Sequence, residues 1–439
     1  MNPGLMPLSR GPLPHAPIPW SQTAVPALPG PVSGQGSVAT TIAPFSAAAQ
    51  ATTGSMLIQT VKDIPREAIR FAGGLPSEET FPREAILQAS QRILSSTAVA
   101  GPALQYAPCA GYEPLRQWIA EYLSTAEVPV SAANIQLVSG AQQALDMVGR
   151  LLLDPGDSYA VESPTYAGAL EAWQGARGVP VSLLCDQWGP QPDGIRSLPA
   201  NTKFVYLIPA HQNPTGRTIP TTRREELVQA CRERGILVIE DDPYAELSFD
   251  GVRLPSMLSM DPGNVIHLGS FSKVVCPGLR VGYVAAPQHI LQKFNAAHGS
   301  SVLVSAPFNQ VLVHEVVRQA SFKADHLPAL RSRYAAQCQV MLKGLETCFP
   351  PGTSWTVPQG GMFIWVTLPA RINCKTLLAE AIKLGVGFVP GEIFFASGAM
   401  PNTMRLNFVT ETPDRITEGL QRLGRLVREK LAEAPGEMV

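Results

Sequence analysis

The chain has 439 residues, too many for one simple core, and its 45% hydrophobic against 16% charged residues fit a globular protein with a large interior. A formal net charge of −1 without long single-sign blocks argues against a nucleic-acid-binding surface, and no uninterrupted apolar run is long enough to span a membrane. The seven cysteines are odd in number and form no C-x-x-C pair, which argues against a disulfide framework or a metal site and for thiols kept in a reducing cytoplasm.

Residues 1–50 are rich in Pro, Gly, Ser and Ala, with Arg10 and His15 as the only basic side chains. Such a stretch cannot bury enough apolar surface to offset its ordering entropy, so a disordered tail is expected. It has neither the charged start and apolar centre of a secretory signal nor the Arg content of a transit peptide. Residues 51–100 read as an arm that contributes to a smaller domain, 101–325 as a large domain and 326–439 as a small C-terminal domain. In the arm, the glycines of 71–76 form a turn closing a short extended segment, and a helix led by Pro82 covers 82–94. A second helix follows over 112–123. Strands are expected at 135–138, 158–161, 204–208, 236–239 and 265–268, with helices at 142–153 and 166–174 and helical or loop segments between the later strands. Strands alternating with helical segments imply an α/β fold with a mostly parallel sheet flanked by helices on both faces. Ligands of such sheets bind beyond the carboxyl ends of the strands. A long helical stretch over 309–345 leads to extended runs at 362–368, 386–389 and 405–408, a helix at 377–384 and an amphipathic helix over 413–431. That mixture implies a smaller α+β C-terminal domain.

The residues able to do chemistry cluster after the expected strands. Lys273, in Ser270-Phe-Ser-Lys273, follows the run at 265–268. An ammonium is costly to desolvate, and desolvation lowers its pKa and makes the amine nucleophilic, which suits imine formation with an aldehyde. The plainer alternative is a surface lysine in a loop. Asp241, in Glu240-Asp-Asp-Pro-Tyr244, follows the run at 236–239; a carboxylate there can keep a pyridinium nitrogen protonated, and Tyr244 can donate to a ring phenolate. Asn213 precedes a proline turn and can donate to the same phenolate, although an ordinary Asn-Pro turn explains it as well. Ser139-Gly-Ala-Gln-Gln143 stands where a strand passes into a helix, and backbone N–H groups at a helix start form an anion site. Tyr166 can stack on a flat aromatic ring or serve as a core aromatic. Singly these signals are weak. Together they meet the needs of one cofactor, pyridoxal 5′-phosphate (PLP).

Further motifs carry a family resemblance: FAGGLP (71–76), LQYAPCAGY (104–112), SGAQQAL (139–145), SPTYAGAL (163–170), QNPTG (212–216), EDDPYAEL (240–247), SFSKVVCPGLRVGY (270–283), GGMFIWV (360–366) and MRLNF (404–408). The chain resembles the fold-type I, class I/II aminotransferases, and among them the 2-aminoadipate/kynurenine branch, from about residue 71 to 423. The resemblance implies a PLP enzyme that moves an amino group from an amino acid to a 2-oxo acid by ping-pong kinetics. Lys273 would form the imine with the cofactor and act as general acid/base. Asp241 would hold the ring nitrogen, Asn213 and Tyr244 the phenolate oxygen, and Tyr166 would stack on the ring. Gln142, Ser270, Ser272 and Arg280 would hold the phosphate, joined by Tyr106 of a second subunit in a homodimer. Arg405 would grip the substrate carboxylate, and Gly74 would line the pocket.

The sequence departs from the family pattern twice. Ala141 stands where the family usually has Ser, so one phosphate hydroxyl is missing and backbone N–H groups take its place. Relatives acting on dicarboxylates often carry an Arg on an N-terminal helix over the pocket. Here no Arg lies between Arg10 and Arg66, and the matching stretch, Ser55-Met-Leu-Ile-Gln59, points to an apolar or aromatic side-chain pocket. Related scaffolds also host PLP-dependent cyclisation, elimination and oxidation, which remain the alternative chemistry. Regulators that fuse a DNA reader to this fold are disfavoured, because the first fifty or so residues contain no basic amphipathic helix.

Overall fold

A computed structural model of the chain describes residues 45–433; residues 1–44, most of the expected tail, lie outside them. The described part opens earlier than expected, with a short helix Ala47–Ala51 whose N-cap Ser46 accepts a hydrogen bond from Ala49 N. A helix Met56–Lys62, capped by Ser55, follows. Strand β1 (Ile69–Arg70) then leads into the Gly73–Gly74 turn.

The large sheet collects the alternating strands. In chain order these are β2 (Ile135–Val138), β3 (Ser158–Val161) and β4 (Val179–Ser182). A small hairpin of β5 (Cys185–Asp186) and β6 (Gly189–Pro190) interrupts the series. The series resumes with β7 (Thr202–Leu207), β8 (Leu237–Asp242), β9 (Val265–Ser270) and β10 (Gly282–Ala285). The seven-stranded order is β2-β10-β9-β8-β7-β3-β4. Only β10 runs against its neighbours. Residues of β2, β3 and β10 are buried without alternation, as expected of strands covered on both faces. Every strand foreseen for this sheet is present within a few residues. The antiparallel β10 and the edge strand β4 were not foreseen, since each is a short segment whose place depends on its neighbours.

The C-terminal part builds a four-stranded sheet from β11 (Ser354–Trp355), β12 (Phe363–Thr367), β14 (Val389–Pro390) and β15 (Thr403–Asn407), in the order β11-β12-β15-β14. The run expected as one strand at 386–389 divides in two. β13 (Val386–Gly387) pairs in parallel with β1, whereas β14 pairs with β15, and the fully buried Phe388 turns the corner between them. The long helical stretch is also divided, into Pro307–Val317, a π-helical turn Phe322–His326, and Leu327–Cys348. Phe71 N donates to Gly387 O and Asn407 N to Phe71 O, so the arm is stitched to the small sheet and delivers Gly73 and Gly74 beside β15. No helix among the described residues is long and apolar enough to cross a membrane.

Candidate active site

A cavity of about 250 Å³ opens at the carboxyl edge of the large sheet and is closed from the other side by β15 and the Gly74 turn. Every site residue expected from the sequence lines it except Tyr106, which lies apart on an exposed loop. The sheet explains the convergence. β2, β3, β7, β8 and β9 end at this edge; the last residues of β8 and β9 include Asp241 and Ser270, and the segments that follow the five strands supply Ala141 and Gln142, Tyr166, Asn213, Tyr244, and Ser272 and Lys273. Because β10 is reversed, its start rather than its end lies here, which brings Arg280 to the same edge.

Lys273 Nζ donates to Gly74 O at 2.6 Å. Burial lowers its pKa to about 8, helped by the nearby Arg405 and Arg280 charges, so part of the amine population is unprotonated near neutrality. Asp241 is buried, and its Oδ2 accepts a 2.7 Å hydrogen bond from the Tyr206 hydroxyl. Its Oδ1 is buried with no hydrogen-bond partner among the described residues. Burial raises the Asp241 pKa to about 7, opposed by the Tyr206 bond and reinforced by the Asp242 charge. Burial also lifts the Tyr166 hydroxyl to about 12 and pushes Tyr244 well above the usual phenol range.

Arg405, fully buried on β15, donates from one terminal nitrogen to Asn213 Oδ1 at 2.7 Å and from the other to Gly73 O at 2.9 Å. Its guanidinium carbon lies 4.3 Å from the Phe363 ring centroid and 4.9 Å from that of Phe394. With Asn213 Oδ1 occupied, the amide nitrogen of Asn213 is the end left to donate into the cavity. Burial brings the Arg405 pKa down to about 10, still far above neutrality, so the side chain remains a cation.

At the opposite end, Ser270, Ser272 and Arg280 face the start of the helix Ala141–Leu152, whose N-cap Gly140 has φ +84° and leaves the first N–H groups without a side-chain cap. Gln142, expected at the phosphate, stands in the first turn of this helix, and its side chain has a task of its own. Its amide donates to Gly168 O and its carbonyl accepts from the Tyr166 hydroxyl, so it props the aromatic ring. Gly168 is required there, because a Cβ would collide with the Tyr166 ring.

Sequence reasoning missed two features. Tyr206 orients Asp241 from the neighbouring strand, a contact that only sheet register reveals. Phe363 and Phe394 sandwich Arg405; the GGMFIWV motif contained one of them, without a sign of its partner. Leu57, from the 55–59 stretch expected over the pocket, does line the cavity, because the arm is pinned to the helix Ala167–Trp173 and the turn after it, through Met56 N to Glu171 Oε1 and Thr53 N to Gln174 Oε1.

Comparison with known proteins agrees with this geometry. Residues 67–423 match the family Aminotransferase class I and II. The 2-aminoadipate transaminase of Thermus thermophilus is 40% identical over 83% of this chain and 91% of its own length. Aromatic-amino-acid aminotransferase 1 of Thermococcus litoralis is 38% identical over 83% of this chain and 89% of its own. The chain belongs to the class I and II aminotransferases. Among solved structures, the alpha-aminoadipate aminotransferase of Thermus thermophilus, complexed with N-(5′-phosphopyridoxyl)-L-leucine, superposes with a TM-score of 0.82 at 38% identity, covering 89% of this chain and 98% of that one. The kynurenine aminotransferase of Pyrococcus horikoshii gives 0.83 at 37% identity, covering 88% and 97%.

The protein is therefore a PLP-dependent aminotransferase. The residues present fit that cofactor. Asp241 Oδ1 is a buried acceptor without a donor, which a protonated ring nitrogen supplies, and the free N–H groups at the helix start suit a phosphate.

Proposed function

We propose that Lys273, Asp241, Asn213, Tyr244 and Arg405 carry transamination, and that one substrate is an amino acid with an apolar or aromatic side chain. The observation that carries the assignment is the unpartnered Asp241 Oδ1 in the same cavity as the Lys273 amine. When bound, PLP supplies an aldehyde for imine exchange with the substrate amine and a ring that draws electrons from the bond to the α-hydrogen. The Lys273 amine, poised near neutrality, would take the substrate α-proton and hold it for return during the same turnover. Asp241, held by Tyr206, keeps the ring nitrogen protonated. Tyr244 and the amide end of Asn213 would hold the ring oxygen of the cofactor, and Tyr166, propped by Gln142, would pack against its ring. Ala141 and Gln142 through their backbone, with Ser270, Ser272 and Arg280, take the phosphate. Arg405 pairs with the α-carboxylate.

The substrate class follows from the cations. Lys273, Arg280 and Arg405 are the cationic side chains lining the cavity, and each already has a role. Leu57 and Leu75 border it where a distal carboxylate would need a partner. The leucine adduct held by the Thermus relative supports the same reading. Tyr106 and Leu104 are 75% and 69% exposed, which supports a homodimer in which Tyr106 reaches the partner's phosphate. The seven free cysteines support a cytoplasmic setting.

The test is Lys273→Ala. Purified wild-type protein with PLP is expected to show the visible absorbance of a lysine imine and turnover with leucine or phenylalanine. The variant should lose the band and at least about 10²-fold in turnover. A variant that keeps both would overturn the assignment.

A further inference from the structure

His298 is a polar member of the otherwise apolar buried face of the helix Gln288–Val302, where it lies beside Leu291 and Phe294. It is fully buried, and both ring nitrogens are engaged. Nδ1 is 3.4 Å from Cys109 Sγ, and Nε2 is 2.9 Å from Ser305 Oγ. Ser305 Oγ in turn is 2.9 Å from Ser139 Oγ. We infer that this chain of four side chains, Cys109–His298–Ser305–Ser139, is a positioning relay for the phosphate end of the active site.

Ser139 ends the relay at a decisive place. Its carbonyl accepts a 3.2 Å hydrogen bond from the Arg280 guanidinium, and its N–H donates to Gln143 Oε1 at 2.7 Å. The next residue, Gly140, turns the chain into the helix whose first N–H groups face the cavity. Arg280 lies against that glycine so closely that a Cβ there would be 2.5 Å from its terminal nitrogen. Moving Ser139 therefore moves two phosphate-binding groups together, the guanidinium and the helix start. The other end of the relay is fixed just as firmly. Cys109 Sγ donates to Asn295 O, Gln136 Nε2 donates to Cys109 O at 2.7 Å, and Asn295 Nδ2 donates to Gln136 Oε1 at 3.0 Å.

Burial keeps the imidazole neutral, so one ring nitrogen donates and the other accepts. With the thiol proton given to Asn295 O, one arrangement satisfies the chain: Nδ1 donates to Cys109 Sγ, Nε2 accepts from the Ser305 hydroxyl, and Ser305 accepts from Ser139. Each member then depends on the next, as in cooperative hydrogen-bond networks. Apolar packing would fill the buried middle of this chain without the desolvation penalty of His298 and Ser305. What the polar chain adds is a fixed position for the Ser139 hydroxyl.

This inference rests on reading Arg280 and the helix start as the phosphate site. The test compares PLP with pyridoxal, which has the same ring and aldehyde without the phosphate, by titrating apoenzyme and following the lysine-imine absorbance. Ser305→Ala removes one hydroxyl and is expected to weaken PLP binding about tenfold, the effect of losing one buried hydrogen bond, and to leave pyridoxal binding unchanged. In a Ser139→Ala background, Ser305→Ala should add no further loss, since the relay acts only through Ser139. Equal weakening of both ligands, unchanged PLP binding, or additive losses in the double variant would overturn the relay. Wild-type apoenzyme that binds PLP no better than pyridoxal would overturn the phosphate assignment itself, and the relay with it.

Discussion

Asp241→Asn offers a quantitative check on the site, because the carboxylate's burial has a thermodynamic signature of known sign. In the folded apoenzyme the Asp241 pKa stands at about 7, against an ordinary value of 3.8. Between those limits the folded protein keeps a proton that the unfolded chain releases. The contribution to stability is therefore fully present below the unfolded pKa and is lost as pH rises through the folded one. At about 1.4 kcal/mol per pH unit, this interval corresponds to a ceiling of roughly 4 kcal/mol. The Asn variant cannot ionise, and the Glu240–His267 pair and Asp242 are common to both proteins, so they cancel in the difference. Denaturant midpoints of the two apoenzymes from about pH 4 to about pH 8 should show wild type losing stability relative to the variant as pH rises. On the proposed assignment, saturating PLP should flatten the wild-type profile, because a cationic ring nitrogen held by Asp241 would offset the buried charge. A wild-type-minus-variant difference that stays constant with pH in the apoenzyme would refute the reasoning.

Arg405→Lys keeps the charge but loses the planar fork; steady-state kinetics should show a rise in amino-acid KM of about 10-fold to 10²-fold, with a smaller change in kcat. Leu57→Arg places a cation at the cavity edge and should shift kcat/KM toward a dicarboxylic amino acid over leucine by at least about tenfold, read from a donor panel. Gly168→Ala forces the Tyr166 ring to move; at about 1–3 kcal/mol for such overpacking, PLP affinity should fall by roughly tenfold or more, measured on apoenzyme.

The large sheet and the catalytic edge were legible because each motif follows a buried β-branched run, and local pattern alone places a residue just past a strand end. Lys273, Asp241 and Asn213 are of this kind. What escaped depends on contacts between distant segments. Tyr206 reaches Asp241 only through the parallel register of β7 and β8, and Phe394 reaches Arg405 from a short 3-10 turn. Gln142 stands at the expected end of the cavity, but the turn of its side chain toward Gly168 and Tyr166 could not be read from the motif. The division of 386–389 between two sheets was equally hidden, since both halves are apolar and buried and hydropathy does not distinguish their partners.

The reversed strand β10 has a consequence for how well the site holds its dimensions. Ser270 and Gly282 are directly paired across β9 and β10, so the loop bearing both Lys273 and Arg280 is a closed span with both feet clamped on adjacent rungs of one ladder. Amine and guanidinium are thus carried by one span of backbone whose two ends cannot separate without breaking that rung. Arg405 and Gly74 belong to the other sheet, so on the proposed assignment the substrate carboxylate and the phosphate would be anchored to two separate frames.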